Sequence, residues 1–211
     1  MKNILLILSV LCLFSSCKKD VQIPENFDYG KIENGIYSNE FFNFDLSFNE
    51  DWTVQSKDEM RQMSESSRDI LAGENQNLKN SLKASQVNVA DLFTIFKFPV
   101  GSVESGNASF LINAENLKAF PKVRTPKDYI AAARQLLDQS SLALNYKKEP
   151  YTKSIGGKEF MGMEIFNESY NLTQEYFVTL RHGFAISIVA SYDNPDDQQE
   201  LYKIIESIKF D

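Results

Sequence analysis

Alternating apolar and polar residues mark a strand most clearly between positions 42 and 48. Phenylalanine or leucine occupies every second position there, and short polar residues fill the positions between them. Successive side chains of a strand point to opposite faces, so the pattern predicts a half-buried β-strand. The segment 87–98 is apolar on both faces after Asp91, and we therefore expect it to be a central strand of a sheet.

Shorter strand-like runs fill the second half of the chain. They cover residues 109–120, 146–151, 153–155, 158–170, 172–180 and 184–191. Gly156-Gly157 separates the third run from the fourth, and Arg181-His182-Gly183 separates the last two. Turns that contain glycine between two strands are typical of hairpins, so we predict a β-hairpin at each of these places.

Helical spacing replaces alternation between residues 56 and 85. The apolar residues there form one narrow stripe, and Ser56 is placed to cap the first turn together with Glu59. Gly73 interrupts the pattern and divides the segment into two predicted helices. Because the stripe is thin, we expect these helices to lie loosely on the body or to offer a face to a partner.

Two further helices are predicted from their first residues. Thr125-Pro126 and Asn194-Pro195 each supply a capping side chain followed by a proline, which fits the first helical position. Hairpins interleaved with helices predict an α+β fold, with an antiparallel β-sheet flanked by helices. No composition boundary divides the body, so we expect one globular domain over residues 36–211.

The first sixteen residues have the order of a secretory signal peptide. A basic start at Lys2 precedes a short apolar run, and Ser15 and Ser16 are small residues at the expected cleavage point. The chain then becomes polar immediately after Cys17. We therefore assign residues 1–16 to a signal peptide.

Cys17 is the candidate for lipidation. The stretch from Leu13 to Cys17 resembles a bacterial lipoprotein box, in which the cysteine receives diacylglycerol and becomes the mature N-terminus. An ordinary cleaved signal with a chance cysteine is the alternative. Acyl chains on Cys17 would hold the protein to a membrane, and residues 17–35 are then expected to be a lipidated N-terminus and a flexible tether.

The segment around Cys17 is also similar to lipoproteins of the Bacteroidetes group, which implies a palmitate-bearing protein of the cell envelope. Some lipoproteins of that group are exported to the cell surface, usually with an acid-rich stretch after the cysteine. Here only Asp20 follows the cysteine closely. We therefore expect an anchor in the outer membrane that faces the periplasm rather than the cell surface.

Composition argues against several classes of function. The chain has 22 Lys and Arg against 29 Asp and Glu, a net charge of −7, which argues against nucleic-acid binding. The cysteines, Cys12 and Cys17, both precede the body, so the body has no thiol for a disulfide, a metal or a nucleophile. His182 is the single histidine. We therefore expect no metal, no cofactor and no catalytic residues.

Three remaining features could suggest chemistry. His182 lies at a predicted turn, where a surface histidine is expected. The acidic run 193–197 lacks the spacing of a calcium loop and fits a helix cap better. An enzyme would need carboxylates such as Asp91 or Glu164, which fall within predicted strands, and we do not expect an enzyme.

Two segments resemble PsbP-like domains. The first runs from Tyr37 through the alternating strand at 42–48 to Trp52, and the second is the final helix with its exit at 201–210. The resemblance covers residues 35–211 and implies a PsbP-like α/β/α sandwich with an antiparallel sheet. Members of that family are mostly binding or accessory proteins, and several are lipoproteins, so the resemblance implies no catalytic residues.

We therefore interpret the protein as a membrane-anchored envelope lipoprotein. Its expected role is that of a non-catalytic accessory or protein-interaction module, with an envelope protein docked on the polar helical segment 56–85. The alternative is a lipoprotein that binds a small molecule or lipid, in which a phenylalanine-rich sheet left partly uncovered by helices would hold a small apolar ligand.

Overall fold

A computed structural model describes residues 22–102, 106–140 and 142–211. The helices are α1 (Lys57–Ala72), α2 (Gln76–Ser85), α3 (Pro126–Leu137) and α4 (Pro195–Ser207). The strands of the first half are β1 (Lys31–Glu33), β2 (Ile36–Asn39), β3 (Phe44–Ser47), β4 (Thr53–Val54), β5 (Val89–Phe96) and β6 (Ser109–Asn116). The others are β7 (Leu144–Tyr146), β8 (Tyr151–Ile155), β9 (Lys158–Asn167), β10 (Leu172–Arg181), β11 (Phe184–Tyr192) and β12 (Lys209–Phe210).

The strands form two antiparallel sheets. The main sheet has the order β4-β5-β6-β11-β10-β9-β7, and β8 also pairs with β9. A small sheet has the order β1-β2-β3-β12. The small sheet and α4 cover one face of the main sheet through a common apolar core, and α3 and the α1–α2 pair cover the other face. The chain is therefore an α+β protein with antiparallel sheets flanked by helices, which confirms the predicted fold class.

The alternating pattern at 42–48 forms β3, in the small sheet. Phe44 and Leu46 are buried and face the main sheet, whereas Ser47 is exposed. Asn43 has a φ of 48°, a left-handed conformation that ends the preceding turn, so the strand begins one residue later. Phe42 remains fully buried before the strand starts.

The prediction that 87–98 is a central strand was wrong in part. β5 lies second from the edge of the main sheet. The edge strand beside it, β4, has only two residues. The central position belongs to β11, of which all nine residues are buried. Both strands look alike in sequence because both are covered on two faces, in β5 partly by α1.

Both predicted hairpins are present. Gly156-Gly157 joins β8 to β9, with Ile155 paired to Lys158. The second turn joins β10 to β11, with Arg181 paired to Phe184. The glycines of the two turns, Gly156, Gly157 and Gly183, all have a positive φ.

Residues 22–35 belong to the folded body, which differs from the expected tether. Phe27 is buried in the main core, and β1 pairs with β2. The Asp28 carboxylate accepts hydrogen bonds from the backbone N–H groups of Gly30, Glu40 and Phe41 at 2.7–3.1 Å. The segment is polar in composition, so its sequence predicts a tether. A few aromatic residues are nevertheless enough to hold it on the core. The remaining predicted tether residues, 17–21, lie outside the described residues.

Candidate functional site

The segment between β4 and β5 forms a helical hairpin of α1 and α2. Ser56 caps α1 as predicted: its hydroxyl accepts from the N–H of Glu59, and the Glu59 carboxylate accepts from the N–H of Ser56 at 2.7 Å. Gly73 ends α1 with a φ of 50°, as its position in the sequence predicted. Asn75 then caps α2 by accepting from the N–H of Leu78.

The helical hairpin has its own small apolar cluster. Ala72, Leu78 and Leu82 are buried together, and Leu136 of α3 packs against them. This cluster is separate from the main core. The predicted loose packing of the segment follows from this arrangement, because most of α1 is exposed and its buried residues are Met60 and Ala72.

The outer face of the helical hairpin is polar and charged. Two exposed ion pairs, Arg61–Asp58 at 3.1 Å and Lys79–Asp69 at 2.9 Å, lie on it. Such surface pairs add little to stability. Ile70 of α1 is 49% exposed and is an apolar side chain on this otherwise polar face.

Arg68 is directed from α1 toward the main sheet. Its Nη1 donates to Ser64 at 2.8 Å, and its Nη2 is buried with no partner among the described residues. Below it on β5, burial raises the pKa of Asp91, and the positive charge of Arg68 offsets part of that rise. The helix therefore covers a polar part of the sheet, where the fold has little to gain from close apolar packing.

Glu115 of β6 lies on the same face of the main sheet. The Tyr129 hydroxyl of α3 donates to its carboxylate at 2.7 Å. Burial raises the pKa of Glu115, and this hydrogen bond offsets part of the rise. Burial and the nearby Glu115 in turn raise the pKa of Tyr129. The pair fixes α3 on the sheet at the cost of a buried charge.

Replacing Glu115 with glutamine is expected to stabilise the protein at neutral pH. The amide keeps an acceptor for Tyr129 and removes the buried charge. Because the pKa of Glu115 is raised in the folded state, the penalty is complete above that raised value and disappears below the ordinary value. Urea unfolding across pH should therefore show an advantage for the variant that vanishes on acidification. An advantage that is constant with pH would contradict this.

A second carboxylate cluster lies on the opposite face of the main sheet. Glu175 of β10 is 1% exposed. Its carboxylate accepts hydrogen bonds from the hydroxyls of Tyr151 at 3.0 Å, Tyr192 at 2.7 Å and Tyr202 at 2.8 Å, and from Nε2 of Gln198 at 3.2 Å. Burial raises the pKa of Glu175, but these hydrogen bonds together outweigh it and hold the pKa below its usual range.

The Glu175 cluster joins elements that are distant in sequence. Tyr202 and Gln198 belong to α4, Tyr192 ends β11, and Tyr151 begins β8. The Lys153 ammonium lies 3.9 Å from the centre of the Tyr202 ring and adds positive charge beside the cluster. The carboxylate is closed off from solvent and fully hydrogen-bonded, and its bonds to Tyr202 and Gln198 hold α4 against the sheet.

Surface grooves of the described part of the chain include one beside α3 and one beside α4. The larger, of about 600 Å³, lies beside α3, with Ile130, Pro150 and Met161 among its apolar residues. Arg134 and Glu149 face each other there at 3.3 Å. The other groove, of about 440 Å³, lies between Trp52 and α4. Neither groove contains Asp91 or Glu164.

The aromatic residues that suggested an apolar pocket fill the interior instead. The fully buried members are Phe42, Phe93, Phe110, Phe160 and Phe177. The small sheet and α4 cover them. The expectation of a partly uncovered phenylalanine-rich sheet was therefore wrong, because the strand that precedes Trp52 folds over the main sheet rather than joining it.

The residues singled out in the sequence fall in different places. Cys17, the predicted lipidation site, lies outside the described residues. His182 is exposed at the β10–β11 turn, as predicted, with a φ of 51° and its Nδ1 2.8 Å from the carbonyl oxygen of Phe41. Glu164 pairs with Lys148 at 2.8 Å, on the opposite side of the sheet from Asp91.

The acidic run 193–197 caps α4, as predicted. The Asn194 side chain accepts from the N–H of Asp197 at 2.9 Å. Asp197 is buried and also accepts from the Lys97 ammonium at 2.6 Å, which ties the loop after β5 to α4. Within residues 22–102, 106–140 and 142–211, no group of three or more metal-ligating side chains is placed to hold an ion.

Sequence reasoning missed Glu175, Glu115 and Arg68. Glu175 carried one available signal, a carboxylate in the middle of a strand whose neighbours are apolar or aromatic. Its partners gave no signal, because they are spread from residue 151 to residue 202. None of the helices in the described part of the chain is long and apolar enough to cross a bilayer.

Comparison by sequence finds no matching protein-family profile and no matching protein of curated function. Comparison of folds finds similar solved structures. A cyanobacterial PsbP from Synechocystis sp. PCC 6803 is 12% identical, with a TM-score of 0.48, over 86% of this chain and 96% of that one. LpqN, described as involved in cell envelope biogenesis of Mycobacterium tuberculosis, is 12% identical, with a TM-score of 0.40, over 79% of this chain and 82% of that one.

A protein from Bacteroides thetaiotaomicron is 11% identical, with a TM-score of 0.44, over 85% of this chain. The present chain spans about half the length of that protein, 49%. At these identities the comparisons concern the fold alone. PsbP is among the solved folds that the chain is similar to.

Proposed function

We propose that the protein is a lipid-anchored protein of the cell envelope that has no catalytic role and binds a protein partner through the outer face of the α1–α2 hairpin. The anchor is Cys17, supported by the signal-like residues 1–16 and the lipobox that ends at the cysteine. The expected location is the periplasmic face of the outer membrane.

The observation that carries the proposal is the independence of the helical hairpin from the main core. Its apolar residues meet in a separate cluster, and its outer face carries charges with Ile70 exposed among them. A segment of this length costs conformational entropy to order and contributes little burial to the sheet. A binding surface would explain its presence, with Ile70 as the exposed apolar contact and the charged residues around it as a polar rim.

Photo-crosslinking in the native cell tests the docking face. A photoreactive phenylalanine analogue at Ile70 is expected to give one dominant protein adduct. The same analogue at Thr152 is the matched control, because Thr152 is exposed on β8, far across the main sheet from β5, which α1 contacts. The docking face would be wrong if Thr152 gave the stronger adduct or if Ile70 gave none.

Fractionation tests the anchor separately. The Cys17→Ser variant is expected to move from the membrane fraction to the soluble fraction, and the intact mass of the native protein should exceed that of residues 17–211 by its acyl groups. Retention of the serine variant in the membrane, with no acyl increment on the native protein, would refute the anchor.

Binding of a small apolar ligand is the alternative function. The groove beside α3 would hold such a ligand, because Ile130 and Met161 line it. Native mass spectrometry of the lipidated protein separates the two functions. A stoichiometric protein mass supports a partner, and a retained small mass supports a ligand.

A further inference from the structure

The described chain begins at one end of the main sheet. The Gln22 carbonyl accepts from Nδ2 of Asn116, at the end of β6, at 3.5 Å. The Ile23 N–H donates to the carbonyl of Val87, just before β5, at 3.2 Å. These contacts fix the place where the chain from Cys17 enters the domain.

The same end of the sheet carries the β10–β11 turn. The N–H of Leu117, next to Asn116, donates to the carbonyl of Gly183 at 2.9 Å. His182 in turn lies 2.8 Å from the carbonyl oxygen of Phe41, and the two rings meet edge to face. Val87, Lys118, His182 and Phe41 therefore form one surface around the entry of the chain, which we call the entry surface.

We infer that the entry surface contacts the phospholipid headgroup layer, so that this end of the main sheet faces the membrane in the anchored protein. The inference depends on the proposed lipidation of Cys17. Gln22 is five positions after Cys17, and at about 3.3–3.6 Å for each step the chain between them reaches at most ~18 Å. The main strands have eight to ten residues and are about 30 Å long, so the opposite end of the sheet stays away from the bilayer.

The chemistry of the entry surface fits a headgroup layer. Val87 is 51% exposed and Phe41 is 38% exposed. Transfer of such apolar side chains from water to the membrane interface is favourable. Lys118 is exposed beside them and can pair with lipid phosphate. The exposed Glu40 offsets part of this charge. The surface therefore suits lipid mainly through its apolar side chains, with the short anchor supplying the affinity.

Lipid quenching of a single fluorophore tests the orientation. The mature chain has one native cysteine, and lipidation blocks it, so an introduced cysteine can be labelled alone. The full lipidated protein would carry Lys118→Cys or, as the control at the opposite end, Tyr170→Cys, which is 59% exposed. Each is placed in phosphatidylethanolamine–phosphatidylglycerol vesicles with brominated acyl chains. Quenching at position 118 is expected to exceed that at position 170 at least threefold.

Two results would overturn the inference. Equal quenching at both positions means that the domain has no fixed orientation, and stronger quenching at position 170 means that it stands the other way. A Val87→Asp variant should lower quenching at position 118 while flotation with the vesicles is unchanged. Loss of flotation together with a missing acyl mass refutes the anchor instead, so failure of the orientation and failure of the proposed function are distinguishable.

Discussion

Replacing Glu175 with alanine is expected to lower the free energy of unfolding by about 3–5 kcal/mol, because several donors lose a charged acceptor and each unsatisfied buried group costs about 1–3 kcal/mol. Three tyrosine hydroxyls and the Gln198 amide all donate to this carboxylate. Without it, the buried Tyr192 and the half-buried Tyr151, Tyr202 and Gln198 lose their acceptor, and a cavity opens between α4 and the sheet. The midpoint of urea unfolding, followed by circular dichroism, measures the loss.

Two variants control this result. Glu159→Ala removes an exposed carboxylate from the adjacent strand β9 and should change stability by less than about 0.5 kcal/mol. Glu175→Gln keeps an acceptor oxygen and should fall between the alanine variant and the unmodified protein. A loss for Glu175→Ala no greater than that for Glu159→Ala would show that the cluster does not hold α4.

Acid should narrow the difference between Glu175→Gln and the unmodified protein. The folded pKa of Glu175 lies below the ordinary value, because the donors outweigh the effect of burial. A lowered carboxyl pKa gives stability that is complete above the ordinary value and is lost as pH falls through the folded value. The gap in unfolding free energy should therefore be constant near neutrality and shrink only in the acid range.

Replacing Gly30 with alanine is expected to cost about 2–5 kcal/mol, although the residue lies in a segment whose sequence suggests a tether. Gly30 has a φ of +78°, and a Cβ there would lie 2.5 Å from the ring of Tyr37. Tyr37 is 1% exposed and donates to the carbonyl of Tyr29 at 3.0 Å, so its ring cannot move aside freely. The cost combines left-handed backbone strain with overpacking.

Gly157→Ala is the matched control. Gly157 has a φ of +75° and no atom within 4 Å of the added Cβ, so this variant is destabilised by backbone strain alone, about 1–2 kcal/mol. Thermal unfolding of both variants gives the comparison. Equal losses would mean that the Gly30 segment yields to the substitution, and a neutral Gly30→Ala would mean that residues 22–35 are a tether after all.

Local sequence patterns predicted those elements whose signals are contained within a few residues. The Ser56–Glu59 capping box and the Asn194 cap depend on side chains that bond to backbone groups three positions away. The Gly156-Gly157 hairpin depends on two glycines that adopt a positive φ. Such interactions are complete within one turn, so composition and spacing suffice to find them. The order of these predicted strands and helices along the chain in turn predicted the α+β fold class.

The sequence by itself determined the class of fold, the starts of α1, α3 and α4, the two glycine-containing hairpin turns, and the lack of thiols after Cys17. Only the tertiary structure decided that the strand at 42–48 lies in a second sheet, that residues 22–35 join the core, and that Glu175 gathers donors from β8, β11 and α4. Burial and hydrogen bonding between distant segments depend on which faces meet, and an alternating strand pattern is the same whichever sheet receives it.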